Sequence, residues 1–212
     1  MPVTPASADD DALMRAFAQG DARAFAQLYS RHHVALYRFV RRLLGSAQSA
    51  QADEVFQETW MRVVRSRERW SPRGATFRTW LFTLGHHCAV DVLRKSGREV
   101  TLDGPGARDG DDDERVPFQP TAPLWPGWPA ASGSVEDAAF WRAAGARLLD
   151  CLDDLPAAQR GVFLLHYEDG LALAELARAL EVGFETAKSR LRYALAKLRT
   201  CMGAYLPGGS LP

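Results

Sequence analysis

The chain has 212 residues, enough for one large or two small domains, and its 47% hydrophobic and 25% charged content describes a soluble globular protein. No apolar run approaches the roughly 18 residues of a membrane span, and Met1-Pro-Val-Thr-Pro-Ala-Ser7 lacks the basic and apolar regions of a signal peptide, so no membrane insertion and a cytoplasmic location are expected. The net charge of zero does not exclude nucleic acid, because Lys/Arg stand 15 against 10 Asp/Glu over residues 1–100, 2 against 8 over 101–140 and 9 against 8 over 141–212, an acidic middle between basic flanks.

In chain order, Asp9 to Gln19 reads as a helix with acids in its first turn, favourable to the helix dipole, closed by Gly20. Asp21 caps a second helix running to Leu44, whose buried side carries Phe25, Leu28, Tyr29, Leu36, Phe39, Val40 and Leu43. A third, from about Ala52 to Arg67, turns Val55, Phe56, Thr59, Trp60, Val63 and Val64 inward and Asp53, Glu54, Gln57, Glu58, Met61, Arg62 and Arg65 outward. Thr76 is the N-cap of a fourth, which buries Phe77, Trp80, Leu81, Leu84 and Cys88 and fades near Lys95. No stretch alternates for long, so residues 9–98 are expected to form an all-helical domain.

Residues 99–133 lose the pattern. Gly104-Pro105-Gly106, the run from Asp109 to Glu114 and Pro117, Pro120, Pro123, Pro126 and Pro129 predict a flexible acidic linker. Trp125 and Trp128 within it either pack locally on a domain or dock on a partner. Ser134 followed by Asp137 opens a helix reaching Leu155, and Pro156 starts another ending near Tyr167. Leu173, Leu176, Ala177 and Leu180 then mark a short helix; Glu181-Val182-Gly183 breaks the period, and a last helix begins near Phe184. Residues 134–203 thus form a second four-helix domain ending in helix, tight turn, helix.

The last helix carries an apolar stripe of Ala187, Leu191, Ala194, Leu195 and Leu198, with Thr186, Lys188, Ser189, Arg190, Arg192, Lys197 and Arg199 projecting mostly away from it; residues 186–199 hold five Lys/Arg and no acid. Such a face suits the major groove, where Arg and Lys meet phosphates or guanine edges. The plain alternative is a solvated basic helix capping a bundle. Residues 60–98 combine Arg62, Arg65, Arg67, Arg69, Arg73, Arg78, Arg94, Lys95 and Arg98 with Trp60, Trp70, Phe77, Trp80 and Phe82, the mixture that unstacked bases require. Trp60, Phe77 and Trp80 also fit a core, which leaves Trp70, Phe82 and the arginines for nucleic acid.

His32-His33 and His86-His87 are adjacent pairs whose side chains point about 100° apart on a helix, so they read as helix-surface contacts, with His87 able to meet Asp91, and not as a metal site. Cys88, Cys151 and Cys201 are an odd number of isolated thiols without Cys-x-x-Cys spacing, and neither a disulfide framework nor a zinc finger is expected. Without a Gly-x-Ser-x-Gly or a phosphate-binding loop, no catalytic residue, cofactor or small-molecule substrate is expected, and an enzyme is the least favoured class.

Asp53-Glu-Val-Phe-Gln-Glu-Thr-Trp-Met-Arg-Val-Val64 and Phe77-Arg-Thr-Trp-Leu-Phe-Thr-Leu-Gly-His-His-Cys-Ala-Val-Asp-Val-Leu-Arg-Lys95 resemble the second conserved region of bacterial RNA polymerase sigma factors of the extracytoplasmic-function subfamily. Leu155-Pro-Ala-Ala-Gln-Arg-Gly-Val-Phe-Leu-Leu-His-Tyr-Glu-Asp-Gly-Leu171 and Glu185-Thr-Ala-Lys-Ser-Arg-Leu191 resemble the fourth. The resemblance implies that Asp53, Gln57, Glu58 and Arg62 dock on the clamp helices of the polymerase largest subunit. It implies that the segment 69–76 and the fourth helix, through Trp70, Arg73, Arg78, His87, Asp91 and Arg94, melt and read a promoter −10 element. It also implies that Thr186, Lys188, Ser189, Arg190 and Arg192 read the −35 element as duplex, and that an anti-sigma factor is a further partner. His87 stands where the family usually has Asn, and imidazole presents donor and acceptor from different ring nitrogens. The competing readings are a DNA-binding regulator that works without core polymerase and a helical protein-interaction adaptor.

Overall fold

A computed structural model describes residues 9–71, 75–96, 135–167 and 170–205, and these are helices joined by turns, without a strand among the described residues. Helix α1 (Asp10–Ala18) is capped by Asp9, and α2 (Ala22–Leu44) by Asp21, whose carboxylate accepts the Arg23 N–H at 2.8 Å. Gly45, at φ 74°, turns the chain out of α2 into a short 3-10 segment, Ser46–Gln51, that the periodicity does not announce. Helix α3 (Ala52–Ser66) follows directly, and α4 (Phe77–Lys95) starts at the Thr76 cap as expected. The second half holds α5 (Val135–Asp153), α6 (Ala157–Tyr167), α7 (Leu173–Ala179) and α8 (Phe184–Met202). The acidic Pro/Trp stretch read as a linker lies outside the described residues. Among the described residues no helix is long and apolar enough to cross a membrane.

The inward faces read from the sequence are largely the buried ones. Leu28, Leu36, Phe39, Val40 and Leu43 of α2 are 0% exposed, as are Val63 of α3 and Phe77 and Leu81 of α4. Each fully buried Leu or Phe contributes about 1.5–3 kcal/mol relative to exposure. Trp60 is buried and Trp80 half-buried, which gives those aromatics to the core. Phe82, read as available to nucleic acid, is instead fully buried, edge-on to Phe39 at 5.5 Å. Tyr29 departs the other way: it is exposed and stacks on His33 with ring centroids 5.2 Å apart.

The two histidine pairs split between core and surface. His32, 4% exposed, holds Asp10 through Nε2 at 2.6 Å. His86 is buried where α4 crosses α6: a side chain on Gly161 would meet its Nε2 at 2.7 Å, so only glycine lets the helices approach this closely. Burial, reinforced by His87, Arg190 and Arg94, pushes the His86 pKa down to about 3. The ring therefore stays neutral in the fold and gains a proton on unfolding below its ordinary value near 6.5. Stability contributed at His86 is complete above that value and is lost as pH falls toward 3. Lowering pH from 7 to 5 should cost the wild type about 2 kcal/mol more than His86→Leu, read as the difference in denaturant midpoints; equal losses would contradict the burial argument.

The halves meet through this crossing and through a polar clasp. Asp153, the last residue of α5, accepts the Ser46 N–H at 3.0 Å and pairs with Arg160 of α6 at 3.2 Å, while Arg160 donates to the Arg42 carbonyl in the last turn of α2 at 3.4 Å. A Cβ at Gly45 would run into the Arg160 guanidinium, so this glycine serves both its positive φ and the close approach.

Contrary to the expectation of isolated thiols, Cys151 of α5 and Cys201 of α8 form a disulfide across 50 residues. Cys88 alone is a free buried thiol among the described residues, and burial pushes its pKa up.

Candidate nucleic-acid interface

Helices α7 and α8 form the expected helix-turn-helix. Leu173, Leu176 and Ala177 bury one face of α7, and Ala187, Leu191, Ala194, Leu198 and Met202 bury the stripe of α8. The left-handed residue of the turn is Glu181, at φ 54°, whereas Gly183 is extended and caps α8. The Glu175 carboxylate accepts the Ala172 N–H at 3.1 Å and so secures the start of α7.

Away from the stripe, Glu185, Lys188, Ser189 and Arg192 line one shallow groove. Lys188 reaches Glu185 at 3.6 Å, and the Arg192 guanidinium lies over the Tyr193 ring at 5.2 Å. Both cations are exposed on this face, while Ser189 donates to the Thr186 carbonyl at 3.0 Å. Thr186 and Arg190 fall on the other flank, since successive residues turn by about 100°. Arg190 is half-buried and lies close enough to His86 of α4 to help depress that ring's pKa.

On α4, His87, Asp91 and Arg94 share a face by their spacing of four and three residues. His87 and Asp91 are half-buried and Arg94 is exposed. Asp91 faces Arg62 of α3 at 3.6 Å. Arg62 in turn holds Glu58 at 3.1 Å, and Glu58 also meets Arg65 at 3.4 Å. The residues expected to face polymerase and those expected to face DNA are thereby linked through one ion-pair chain, which adjacent helices permit and sequence spacing does not reveal. Asp53 and Gln57 are exposed on the outer face of α3, and Asp53 accepts the Tyr37 hydroxyl at 2.8 Å. At the other end of α4, Arg78 lies over Phe82 at 5.1 Å, and Trp70 is half-buried with its indole packed on the core. Arg73 lies outside the described residues.

The start of α4 depends on acids whose position in the sequence marks them only as dipole partners of α1. Asp11 accepts the Phe77 N–H at 2.6 Å across 66 residues, beside the bonds of Asp10 to Arg31 and His32. Capping from a distant helix leaves no periodic trace.

Two family models match this arrangement: "Sigma-70 region 2" over residues 28–99 and "Sigma-70, region 4" over residues 151–200. The chain is 31% identical over 197 residues to an ECF RNA polymerase sigma factor SigK of Mycolicibacterium vanbaalenii, covering 93% of this chain and 91% of the relative. It is 32% identical over 205 residues to SigK of Mycobacterium ulcerans, covering 94% and 97%. Among solved structures, CnrH in complex with the cytosolic domain of CnrY is similar at a TM-score of 0.60 and 25% identity, covering 92% of this chain and 99% of that one. The fold is shared also with the sigma factor RpoE of Bartonella quintana, solved with the anti-sigma factor NepR, at a TM-score of 0.54 and 24% identity over 85% of this chain and 98% of that one.

Proposed function

From the premise that this chain belongs to the extracytoplasmic-function branch of the sigma-70 family, we propose how its surfaces divide the work of promoter recognition. It is a sigma factor, the subunit that gives RNA polymerase its promoter specificity. It acts by binding and not by catalysis. Asp53 and Gln57, flanked by Glu58 and Arg62, engage the clamp helices of core polymerase. His87, Asp91 and Arg94, with Trp70, Arg73 and Arg78 toward the start of α4, act on the −10 element. Lys188, Ser189 and Arg192 enter the −35 major groove, with Thr186 and Arg190 on the flank. Residues 9–98 and 134–203 are the two binding units, and 99–133 connect them.

The observation that carries this reading is the shared exposed face of Lys188 and Arg192 on the second helix of a helix-turn-helix. Arg190 is half-buried on the flank of α8, so Lys188 and Arg192 are the cations most open to DNA. One of the structures of shared fold was solved in complex with an anti-sigma factor, NepR, and an anti-sigma factor is the further partner that we propose.

Lys188→Ala and Arg192→Ala, assayed in complex with core polymerase, should each weaken binding to duplex carrying the upstream element. A lost phosphate contact weakens all sequences alike, and a lost guanine contact costs about 1–3 kcal/mol at one base pair only. Unchanged binding by both variants removes α8 from the interface.

A further inference from the structure

Helix α1 touches the chain on both sides of the turn between α3 and α4. At the near side, the Arg67 guanidinium, just past the end of α3, lies over the Phe17 ring at 5.7 Å. At the far side, the Asp11 carboxylate accepts the N–H of Phe77, the first residue of α4, at 2.6 Å. The first-turn N–H groups of a helix have no partner within it. Thr76 supplies one for Thr79 at 3.2 Å, and Asp11 supplies the one for Phe77 from outside.

Asp11 is itself held in place. Its neighbour Asp10 bonds the Arg31 guanidinium at 2.7 Å and the buried His32 ring at 2.6 Å, and the His32 ring packs against Phe77 with centroids 5.7 Å apart. Leu13, Met14 and Phe17 seat α1 on the bundle. One short helix thus fixes where α4 begins, and Arg78 is the next residue along.

Building on the reading of α4 as the −10 helix, we propose that Asp11 is a positioning residue for promoter opening: through the Phe77 N–H it holds the first turn of α4, with Arg78, in the register from which the −10 strand is captured. Without that acceptor the first turn frays and Arg78 loses its placement, while the outer face of α3 and the whole of α8 are untouched. The effect therefore falls on strand opening and not on polymerase association or duplex binding upstream. An amide oxygen accepts the same N–H, so Asn suffices where Ala does not.

The test assembles full-length variants with core polymerase and reads permanganate reactivity of −10 thymines, core affinity and upstream duplex binding on the same samples. Asp11→Ala should lower opening about tenfold, the equilibrium equivalent of a lost cap, with the other two readouts unchanged. Asp11→Asn should restore opening. If Asp11→Ala fails to fold, Asp11→Glu keeps the charge but displaces it by one methylene, and it should show the same selective loss. Wild-type opening by the folded variants, or core affinity falling in parallel with opening, overturns the proposal. His87→Ala and Arg94→Ala serve as controls for the underlying reading: if both open the promoter normally, the assignment of α4 to the −10 element fails and takes this proposal with it. If both impair opening while Asp11→Ala does not, only the role of Asp11 is lost.

Discussion

Asp53→Arg combined with Gln57→Arg should reduce association with core polymerase on the order of a hundredfold, while the thermal midpoint moves by no more than about 2–4 °C. Both positions are exposed on the outer face of α3, clear of the stripe of Val55, Thr59, Trp60 and Val63 that packs the bundle. Among the described residues the side-chain bond lost is that of Asp53 with the Tyr37 hydroxyl, which chiefly raises the tyrosine pKa. On the proposed docking face, replacing the acidic Asp53 and the neutral Gln57 by two arginines turns one negative charge into two positive ones, and mismatched charge at an interface costs several kcal/mol. Glu58 is a poorer choice for the test. It holds Arg62 and Arg65, and through Arg62 it is linked to Asp91 of α4. A lysine there would set three cations together and disturb α4 as well as the docking face. Co-purification of the Asp53, Gln57 double variant with core at normal yield would refute the docking surface.

Reduction of the Cys151–Cys201 disulfide should lower stability by about 2–4 kcal/mol, because it releases a closed loop in the unfolded chain. The bond spans 50 residues and ties α5 to α8, so the loop encloses α6, α7 and nearly all of α8. Cys151 is almost fully buried and Cys201 half-buried, beside an open surface hollow of about 430 Å³ lined also by Asp154, Leu155, Ala196, Lys197 and Thr200. Thiol reductants therefore have a route to the bond from the Cys201 side. The check is urea unfolding with and without dithiothreitol, repeated on a variant carrying Cys151→Ala and Cys201→Ala. The reductant should lower the wild-type midpoint and leave the variant's unchanged. A wild-type midpoint that ignores the reductant would contradict the stabilising role of the bond.

Helix periodicity made most of this fold legible. In α2 and α3 one face is buried and the other is wet, so Leu36, Phe39, Val40 and Leu43, or Val55, Thr59 and Val63, announce themselves by spacing alone. The same reasoning strained at α4, which is enclosed by α2 and α3 on one side and by α6 and α7 on the other. A helix covered on several sides has no single stripe, and spacing therefore places Phe82 and His86 at the surface although both are core. His32 misled for a related reason: its burial depends on Asp10, which lies on another helix. The disulfide is invisible in the sequence because pairing depends on proximity in space, and nothing in the spacing of Cys151 and Cys201 reports that α5 and α8 lie side by side. For the binding surfaces, the sequence could name cations but not the direction in which they point. Lys188 and Arg192 share an exposed face, whereas Arg190, two positions from each, lies on the flank and is half-buried.

The most direct measurement is run-off transcription with core polymerase on genomic fragments, with and without this protein. A sigma factor converts core, which initiates without promoter selection, into an enzyme that yields discrete transcripts from a subset of fragments, and that is the result expected here. Discrete transcripts should disappear with the Asp53, Gln57 double variant, which retains its fold. Promoter fragments bound tightly by the protein alone, with no transcript from core in its presence, would instead identify a regulator that works without joining polymerase and would contradict the account.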